Sequence, residues 1–218
     1  HVDGVQGYLR VPFSFKETKV DSYALSAHKI HGPKGVGALV LADGARIKPI
    51  VAGGGQQGGL RSGTENTSGI AGMVAAVQSY PSDAMERMRG LKRLLLSLLM
   101  EALPETTVAG LPVDDPMSAG HILNASFPPV RAETLLHALE ADGICVGTGS
   151  ACSSKKGRRS PVLTAMHLPP QVMDSAIRMS LCPFNTEEEM RYTAEKIIDR
   201  VGQLRRFCLL YTSDAADE

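Results

Sequence analysis

Residues 26–37 read Ser26-Ala27-His28-Lys29-Ile30-His31-Gly32-Pro33-Lys34-Gly35-Val36-Gly37. An alternating segment over residues 20–26 precedes this stretch and predicts a strand, and the Gly-Pro-Lys-Gly sequence predicts a turn. Lys29 is therefore expected at a strand's end, where a neutral amine can bond to an aldehyde. The unperturbed pKa of lysine is about 10.4, so this use requires burial or nearby positive charge. Taken alone, a lysine beside a glycine-proline turn is more often a solvated surface residue.

The composition excludes several classes of protein. The 218 residues carry 23 basic and 23 acidic side chains, so no global field attracts nucleic acid or an anionic membrane. The most apolar tract, Leu94 to Leu103, is too short to span a bilayer. Four cysteines lie far apart with no zinc-like spacing, which favours a reducing cytoplasm and no metal site.

The two ends of the chain differ from the ends of an ordinary domain. The chain opens on His1-Val2-Asp3-Gly4-Val5-Gln6, which reads as a strand running into a loop, so we expect an upstream half. The tail over residues 208–218 follows the helical pattern poorly, and whether it is native is left open.

Hydrophobic periodicity divides the chain into two domains. We predict a strand over Val36–Leu41, a helix from Asn66-Thr67 to about Tyr80, and an amphipathic helix from Asp83 to Pro104. Strands are expected at residues 107–111, 121–127, 144–146 and 176–181, with a helix at 132–141 and a last helix after the capping-box sequence Thr186-Glu187-Glu188-Glu189. The amphipathic helix from Asp83 thus marks the hinge between residues 1–82 and a small α+β unit over 83–207, and 208–218 form the tail.

Cys152 is the candidate nucleophile. A free cysteine is usually a buried, inert residue, but Gly147-Thr148-Gly149-Ser150-Ala151-Cys152-Ser153-Ser154 describes an exposed, mobile segment. The basic run that follows, Lys155 to Arg159, favours the thiolate form, although a solvated charge run explains it equally well.

Three further positions can hold parts of a cofactor or substrate. Ser26 and His28 offer donors for a phosphate, and Asp3 offers a carboxylate that can keep the pyridine nitrogen of an electron-sink cofactor protonated, or that caps a turn. Arg178 lies within an apolar strand and needs a carboxylate partner, which is either a structural ion pair or a substrate.

A competing motif is present in the glycine-rich segment. Gly53-Gly54-Gly55-Gln56-Gln57-Gly58 satisfies the G-x-G-x-x-G pattern of dinucleotide-binding proteins. That fold requires a helix opening within the glycines, whereas the next predicted helix begins only near Asn66. We therefore give the nucleotide interpretation little weight.

Five blocks, in order, resemble the signature series of cysteine desulfurases, the pyridoxal-phosphate enzymes related to NifS and IscS. They are residues 1–6, residues 26–37, Leu60-Arg61-Ser62-Gly63-Thr64-Glu65-Asn66, Gly149-Ser150-Ala151-Cys152 and Ile177-Arg178-Met179-Ser180-Leu181. The resemblance runs from residue 1 to about 207. It departs from the family at Gln57-Gly58, where Glu-Arg is usual, and at Cys182-Pro183.

The resemblance implies an α/β fold, that of pyridoxal-phosphate-dependent aminotransferases of fold type I, with residues 1–82 as the end of the large cofactor domain and 83–207 as the small domain that carries the catalytic-cysteine loop. It implies that Lys29 bonds covalently to the cofactor, Asp3 pairs with its pyridine nitrogen, Gln6 binds the ring hydroxyl, and Ser26 and His28 bind phosphate. Thr64 would reach the phosphate of a partner subunit in a homodimer. Arg178 would bind the α-carboxylate of L-cysteine, and Cys152 would accept its sulfur as a persulfide.

The implied product is L-alanine, and the persulfide would pass to an iron–sulfur scaffold or a tRNA-thiolation protein. Three alternatives stay open. The chain is also compatible with a related pyridoxal-phosphate lyase or aminotransferase, with a selenocysteine lyase, and with a truncated, catalytically inactive fragment that binds partners.

Overall fold

The computed structural model describes residues 1–148 and 159–214, with side chains up to residue 207. The chain divides into two compact units, His1–Ala84 and Met85–Glu218. The elements of the first unit are β1 (Val2–Asp3), α1 (Phe15–Thr18), β2 (Ser22–Ser26), a 3-10 helix (Ala27–Ile30), β3 (Gly37–Leu41), a second 3-10 helix (Gln56–Gly59) and α2 (Thr67–Ser79).

The first unit contains a three-stranded sheet in the order β1-β2-β3. Strand β1 runs parallel to β2, and β2 runs antiparallel to β3. Tyr23 and Leu25 are the buried residues of β2, as expected for an alternating strand with one face in the core. The chain leaves β2 at Ser26 and re-enters the sheet at Gly37, so the lysine segment forms the connection between two paired strands.

Helix α2 begins after the glycine-rich segment. The Asn66 side chain accepts a hydrogen bond from the Gly69 amide at 3.0 Å, which satisfies one free amide of the first turn. The helix spans Thr67–Ser79, which confirms the predicted start. The glycines open only the 3-10 helix Gln56–Gly59 and no α-helix, so the geometry that a dinucleotide-binding motif requires is absent from residues 53–63.

The second unit is a four-stranded antiparallel sheet with helices packed on one face. Its elements are α3 (Ala84–Ala102), which starts at the boundary, β4 (Thr107–Ala109), β5 (Ile122–Ser126), α4 (Ala132–Ala141), β6 (Gly147–Thr148), α5 (Pro161–Ala165), α6 (Pro170–Asp174), β7 (Ala176–Ser180) and α7 (Glu187–Asp214). The strand order is β4-β5-β7-β6.

The core of this unit lies between the sheet and helices α3, α4 and α7. Leu123 and Ala125 of β5 and Ile177 and Met179 of β7 point into it, and the residues between them in each strand face the other side. The helices contribute Leu91, Leu95, Leu99, Leu135, Leu139, Met190, Ala194, Ile197 and Val201. The other face of the sheet is therefore available to carry polar side chains such as Arg178.

The predicted capping box at the start of α7 is confirmed. Thr186 Oγ1 accepts from the Glu189 amide at 3.2 Å, and Glu189 Oε2 accepts from the Thr186 amide at 3.0 Å. Within the described part of the chain, no helix is both long and apolar enough to cross a bilayer.

One sequence-based expectation was wrong. The strand expected at 144–146 lies instead at Gly147–Thr148, because Ile144 and Val146 pack on the core without entering the ladder. Helix α7 continues through Asp214, into the tail, since no proline or glycine follows Gly202 to stop it.

Candidate functional site

The end of β1 places Asp3 beside β2. Asp3 pairs in register with Ala24, and the next amide, that of Gly4, donates to the Ala24 carbonyl at 2.8 Å. The Asp3 side chain is exposed, and its Oδ1 accepts from the Val5 amide at 3.0 Å. The turn-capping contact is thus present, and it also fixes the direction of the carboxylate. Gln6 follows in the same turn and is exposed.

Lys29 lies on the one-turn 3-10 helix that follows β2. Ala27 and Ile30 are buried and anchor this turn, while Lys29 is half-buried and His28 is exposed. His31 ends the turn in the left-handed conformation, with φ of 66°. Three residues are predicted to contact a phosphate or an aldehyde. Ser26 is the last residue of β2, and His28 and Lys29 lie in the turn that follows it.

Ser26 and His28 are in direct contact. Ser26 Oγ lies 2.7 Å from His28 Nδ1, so the hydroxyl and the imidazole share a hydrogen bond. This contact holds two potential phosphate donors next to each other. It is the closest pairing that the structure gives between two of the predicted site residues.

Helix α2 packs against the one-turn 3-10 helix Ala27–Ile30, called the lysine turn below. A Cβ at Gly32 would lie 3.0 Å from the Ala27 side chain and 3.2 Å from the Ala76 side chain of α2. The missing side chain at Gly32 thus allows the helix to approach the turn. The glycine predicted as part of a turn motif is also a packing contact.

Arg10 contacts the lysine turn and was not predicted from the sequence. Its Nη2 donates a hydrogen bond to the backbone carbonyl of Lys29. Arg10 Nε is enclosed and has no hydrogen-bond partner among the described residues. No local pattern signals this contact, because Arg10 lies 19 residues before Lys29 in the sequence.

Thr64 lies in the exposed glycine-rich segment. The segment is held by its own contacts: Ser62 Oγ donates to the Gly54 carbonyl at 2.8 Å, and the Gly63 amide donates to Gln56 Oε1 at 3.1 Å. Within residues 1–148, no hydrogen bond joins Thr64 to the other predicted cofactor residues. At the departure from the family pattern, Gln57 adopts a left-handed conformation with φ of 53°.

Arg178 occupies the middle of β7, on the face of the sheet away from the helices. It is exposed, and no ion pair joins it to a carboxylate within the described residues. Gly147 lies opposite it on β6, where an added Cβ would lie 3.3 Å from Arg178 Nη2. Gly147, also missed in the sequence, thus leaves room for the guanidinium. The alternative of a structural ion pair for Arg178 finds no support in the described part.

Cys152 lies outside the described residues, and so do the neighbouring cations Lys155, Lys156 and Arg158. The described chain stops at Thr148, which pairs with Ile177 of β7, and resumes at Arg159. Arg159 makes a two-pronged ion pair with Asp174 at 2.8 and 3.0 Å. The hydrogen bonds from that guanidinium hold the pKa of Asp174 below its ordinary value.

A cleft in the second unit does not contain the predicted site. Its lining includes Cys145, Asn185, Glu188 and Tyr192, between the start of α7 and the segment before β6. Neither Arg178 nor any predicted cofactor residue lines it. Cavity shape therefore does not point to the residues that the sequence motifs select.

Comparison with known families decides the relationship. The profile of the class-V aminotransferases matches residues 1–192. The chain belongs to the class-V aminotransferase family. Pyridoxal phosphate is the general cofactor of this family, and the resemblance described from the motifs is confirmed.

Curated proteins similar to this class-V chain are named cysteine desulfurases. It is 38% identical over 94% of its length to cysteine desulfurase 2 of Trichormus variabilis, covering 49% of that protein. It is 36% identical over 97% of its length to cysteine desulfurase IscS of Clostridium botulinum, covering 54% of that protein. A solved structure of a NifS-like protein has 39% identity and a TM-score of 0.80, over 94% of this chain and 52% of that one.

The class-V chain thus spans about half the length of the curated relatives that it matches. The fold prediction, that of pyridoxal-phosphate-dependent aminotransferases of fold type I, is confirmed. The roles of Asp3, Gln6, Ser26, His28, Lys29, Thr64, Cys152 and Arg178 stay predictions.

Proposed function

We propose that the protein containing this chain is a pyridoxal-phosphate-dependent cysteine desulfurase. It would convert L-cysteine into L-alanine and retain the sulfur as a persulfide on Cys152. The observation that carries the proposal is the turn at the end of β2, which groups Ser26, His28 and Lys29 beside the Asp3 segment. Identity of 35–38% to cysteine desulfurases over nearly the whole chain supports it.

The side chains of the first unit fit pyridoxal phosphate. The Asp3 carboxylate suits a protonated pyridine nitrogen, and the half-buried Lys29 amine suits an aldehyde. The Ser26–His28 pair, 2.7 Å apart, presents a hydroxyl and an imidazole to a phosphate. When bound, the cofactor supplies an electron sink that makes removal of the substrate Cα proton possible.

The residues of the chain have distinct tasks in this reaction. Arg178 would bind the substrate α-carboxylate through its planar guanidinium, which has no carboxylate partner among the described residues. The Lys29 amine would take the Cα proton of the substrate as a general base. Asp3 would keep the ring nitrogen protonated throughout.

Cys152 would act as the sulfur acceptor. Its thiolate attacks the sulfur of L-cysteine, so a sulfur–sulfur bond forms while the substrate Cβ–S bond breaks. The electron pair of the broken bond stays on the substrate, whose Cβ takes up a proton, and Lys29 would return the Cα proton so that the product leaves as L-alanine. The persulfide on Cys152 would then pass to an iron–sulfur scaffold or a tRNA-thiolation protein in the cytoplasm.

We further propose a homodimer in which Thr64 contributes to the partner subunit's phosphate site. Its exposed position in the glycine-rich segment supports a contact outside its own unit.

The test uses the full-length protein loaded with pyridoxal phosphate. Formation of alanine and sulfide from L-cysteine in the presence of a thiol reductant is expected for the wild type and lost in Lys29→Ala and Cys152→Ser. Cys145→Ser and Cys182→Ser serve as matched controls, and both should retain activity. Sulfide formation that survives Cys152→Ser would show a lyase and refute the desulfurase proposal.

A further inference from the structure

We infer that Arg10 is a positioning residue for Lys29, joining the two segments that form the cofactor site. This inference deepens the proposed function and rests on it. The first segment carries Asp3 and Gln6, and the second carries Ser26, His28 and Lys29. The contact from Arg10 Nη2 to the Lys29 carbonyl joins them at the residue that would hold the cofactor.

The lysine turn needs support from outside itself. It is a 3-10 helix of four residues, Ala27–Ile30, and such short helices have poorer internal hydrogen bonds than an α-helix. Within the turn, the Ala27 carbonyl accepts the Gly32 amide at 2.9 Å. The Lys29 carbonyl is instead bound by the charged side chain of Arg10, and charge-assisted hydrogen bonds are the stronger kind.

The segment that carries Arg10 is itself well fixed. The amides of Gly7 and Tyr8 donate to the Gly4 carbonyl at 2.9 and 2.8 Å, and the Arg10 amide donates to the Gly7 carbonyl at 2.9 Å. A Cβ at Gly4 would overlap the Tyr23 ring, so the first of these turns packs directly on β2. Arg10 therefore extends from a rigid base that begins at Asp3.

Two hydrogen bonds join the two segments, one near the end of β1 and one further along the chain. The Gly4 amide bonds the Ala24 carbonyl at 2.8 Å, at the end of the paired strands. Beyond that point the strands no longer pair, and the Arg10 contact reaches Lys29 itself. Arg10 therefore helps to set the distance between Asp3, which would pair with the pyridine nitrogen, and Lys29, which would bond to the aldehyde.

The burial of the arginine supports a specific role. Arg10 Nε is enclosed and lacks a hydrogen-bond partner among the described residues. An unsatisfied buried donor is unfavourable for folding, so an aliphatic residue would suit a purely structural position better. We infer that the contact to Lys29 is what makes an arginine useful here.

The experiment measures pyridoxal phosphate binding by the full-length protein. Arg10→Met keeps the aliphatic stem and removes every donor, Arg10→Gln keeps a neutral donor, and Arg10→Lys keeps a charged one. Arg46→Met is the matched control, because Arg46 is exposed and makes no hydrogen bond with any described residue. Two readouts are the dissociation constant of the cofactor and the fraction of Lys29 labelled after borohydride reduction.

We expect Arg10→Met to raise the cofactor dissociation constant about tenfold, the size expected for losing one hydrogen bond to a charged group. Labelling of Lys29 should fall in parallel, and Arg10→Lys and Arg10→Gln should recover part of both. Should Arg10→Met fail to fold, the cofactor dissociation constants of Arg10→Lys and Arg10→Gln, each compared with that of the wild type, test the inference. A lowered melting temperature of the cofactor-free protein with unchanged cofactor affinity would overturn the inference.

Failure of the two proposals can be told apart. If the wild type binds pyridoxal phosphate and depends on Arg10 but forms no persulfide, the desulfurase proposal fails and the inference on Arg10 stands. If persulfide forms normally and cofactor affinity is insensitive to Arg10, only the inference fails. A wild type that does not bind the cofactor refutes both.

Discussion

Under the carboxylate-binding role proposed for Arg178, replacing Gly147 with valine should displace its guanidinium and weaken the binding of amino-acid substrates. A Cβ at position 147 would lie 3.3 Å from Arg178 Nη2 and 3.6 Å from both Cζ and Nε. For alanine, a shift of a few tenths of an ångström relieves this contact. The methyl groups of valine reach about 1.5 Å further, into the volume of the guanidinium.

The expected size of the effect follows from the bonds that are disturbed. Each hydrogen bond between a charged group and its partner contributes about 1.5–3 kcal/mol, and a factor of ten in affinity is about 1.4 kcal/mol. Losing one of two arginine–carboxylate bonds should therefore raise the dissociation constant about tenfold or more in Gly147→Val. A strained rotamer of about 0.5 kcal/mol in Gly147→Ala should raise it only about twofold.

The assay is calorimetric titration of L-alanine into the full-length, cofactor-loaded protein carrying Cys152→Ser, so that no turnover occurs. Gly202→Val is the matched control, because a Cβ at Gly202 meets nothing within 4 Å. Arg178→Lys removes the planar fork and should also weaken binding. Wild-type affinity in Gly147→Val together with weakened binding in Arg178→Lys would refute the packing argument. Wild-type affinity in both would refute the carboxylate role of Arg178.

Three further predictions concern the stability of the second unit. Lys92 is 5% exposed and donates to Ser118 Oγ and the Ala119 carbonyl, and burial followed by the Arg89 charge lowers its pKa. Between that lowered pKa and the ordinary lysine value of about 10.4, the unfolded chain binds the proton that the folded chain has lost. The unfolding free energy of the wild type should therefore rise with pH in this window relative to Lys92→Met, and parallel denaturation curves across alkaline pH would contradict it. The two hydrogen bonds from Arg200 lower the pKa of Asp142. The stability that this ion pair contributes is therefore present above the pKa of Asp142 in the unfolded chain, and it is lost as the pH falls through the pKa of Asp142 in the folded chain. Asp142→Asn should accordingly reduce the loss of stability on acidification, measured by denaturant unfolding at a series of acidic pH values. Thr186→Ala should cost about 1 kcal/mol of unfolding free energy by removing the cap of α7, whereas Thr186→Ser should restore it.

The fold was predictable from the sequence wherever a local signal was strong. The helix at Ala132–Ala141 has the predicted bounds, and the Asn66 and Thr186 caps mark helix starts through residue types that satisfy free amides. The misplaced strand near Ile144 shows the limit of this reasoning. Apolar, branched residues indicate burial, but burial alone does not decide which residues pair with a neighbouring strand.

The site was predictable only as a set of residue types. Motifs selected Lys29, Ser26 and His28, whose adjacency is local and follows from one short turn. Arg10 and Gly147 escaped because their contacts join residues far apart in sequence, and an arginine or a glycine alone carries no signal of its partner. Those contacts depend on strand register, which only the folded chain establishes.

The close fit of α2 against the lysine turn restricts which mutations the protein can accept. Ala76 is far from the motifs in sequence, yet its methyl group would lie 3.2 Å from a Cβ added at Gly32. Since Gly32 is already the smallest residue, enlargement at position 76 has no compensating change available there. Variants with a bulky residue at 76 should therefore resemble cofactor-binding defects, recoverable by excess pyridoxal phosphate added to the purified protein, although the helix bears none of the predicted ligands.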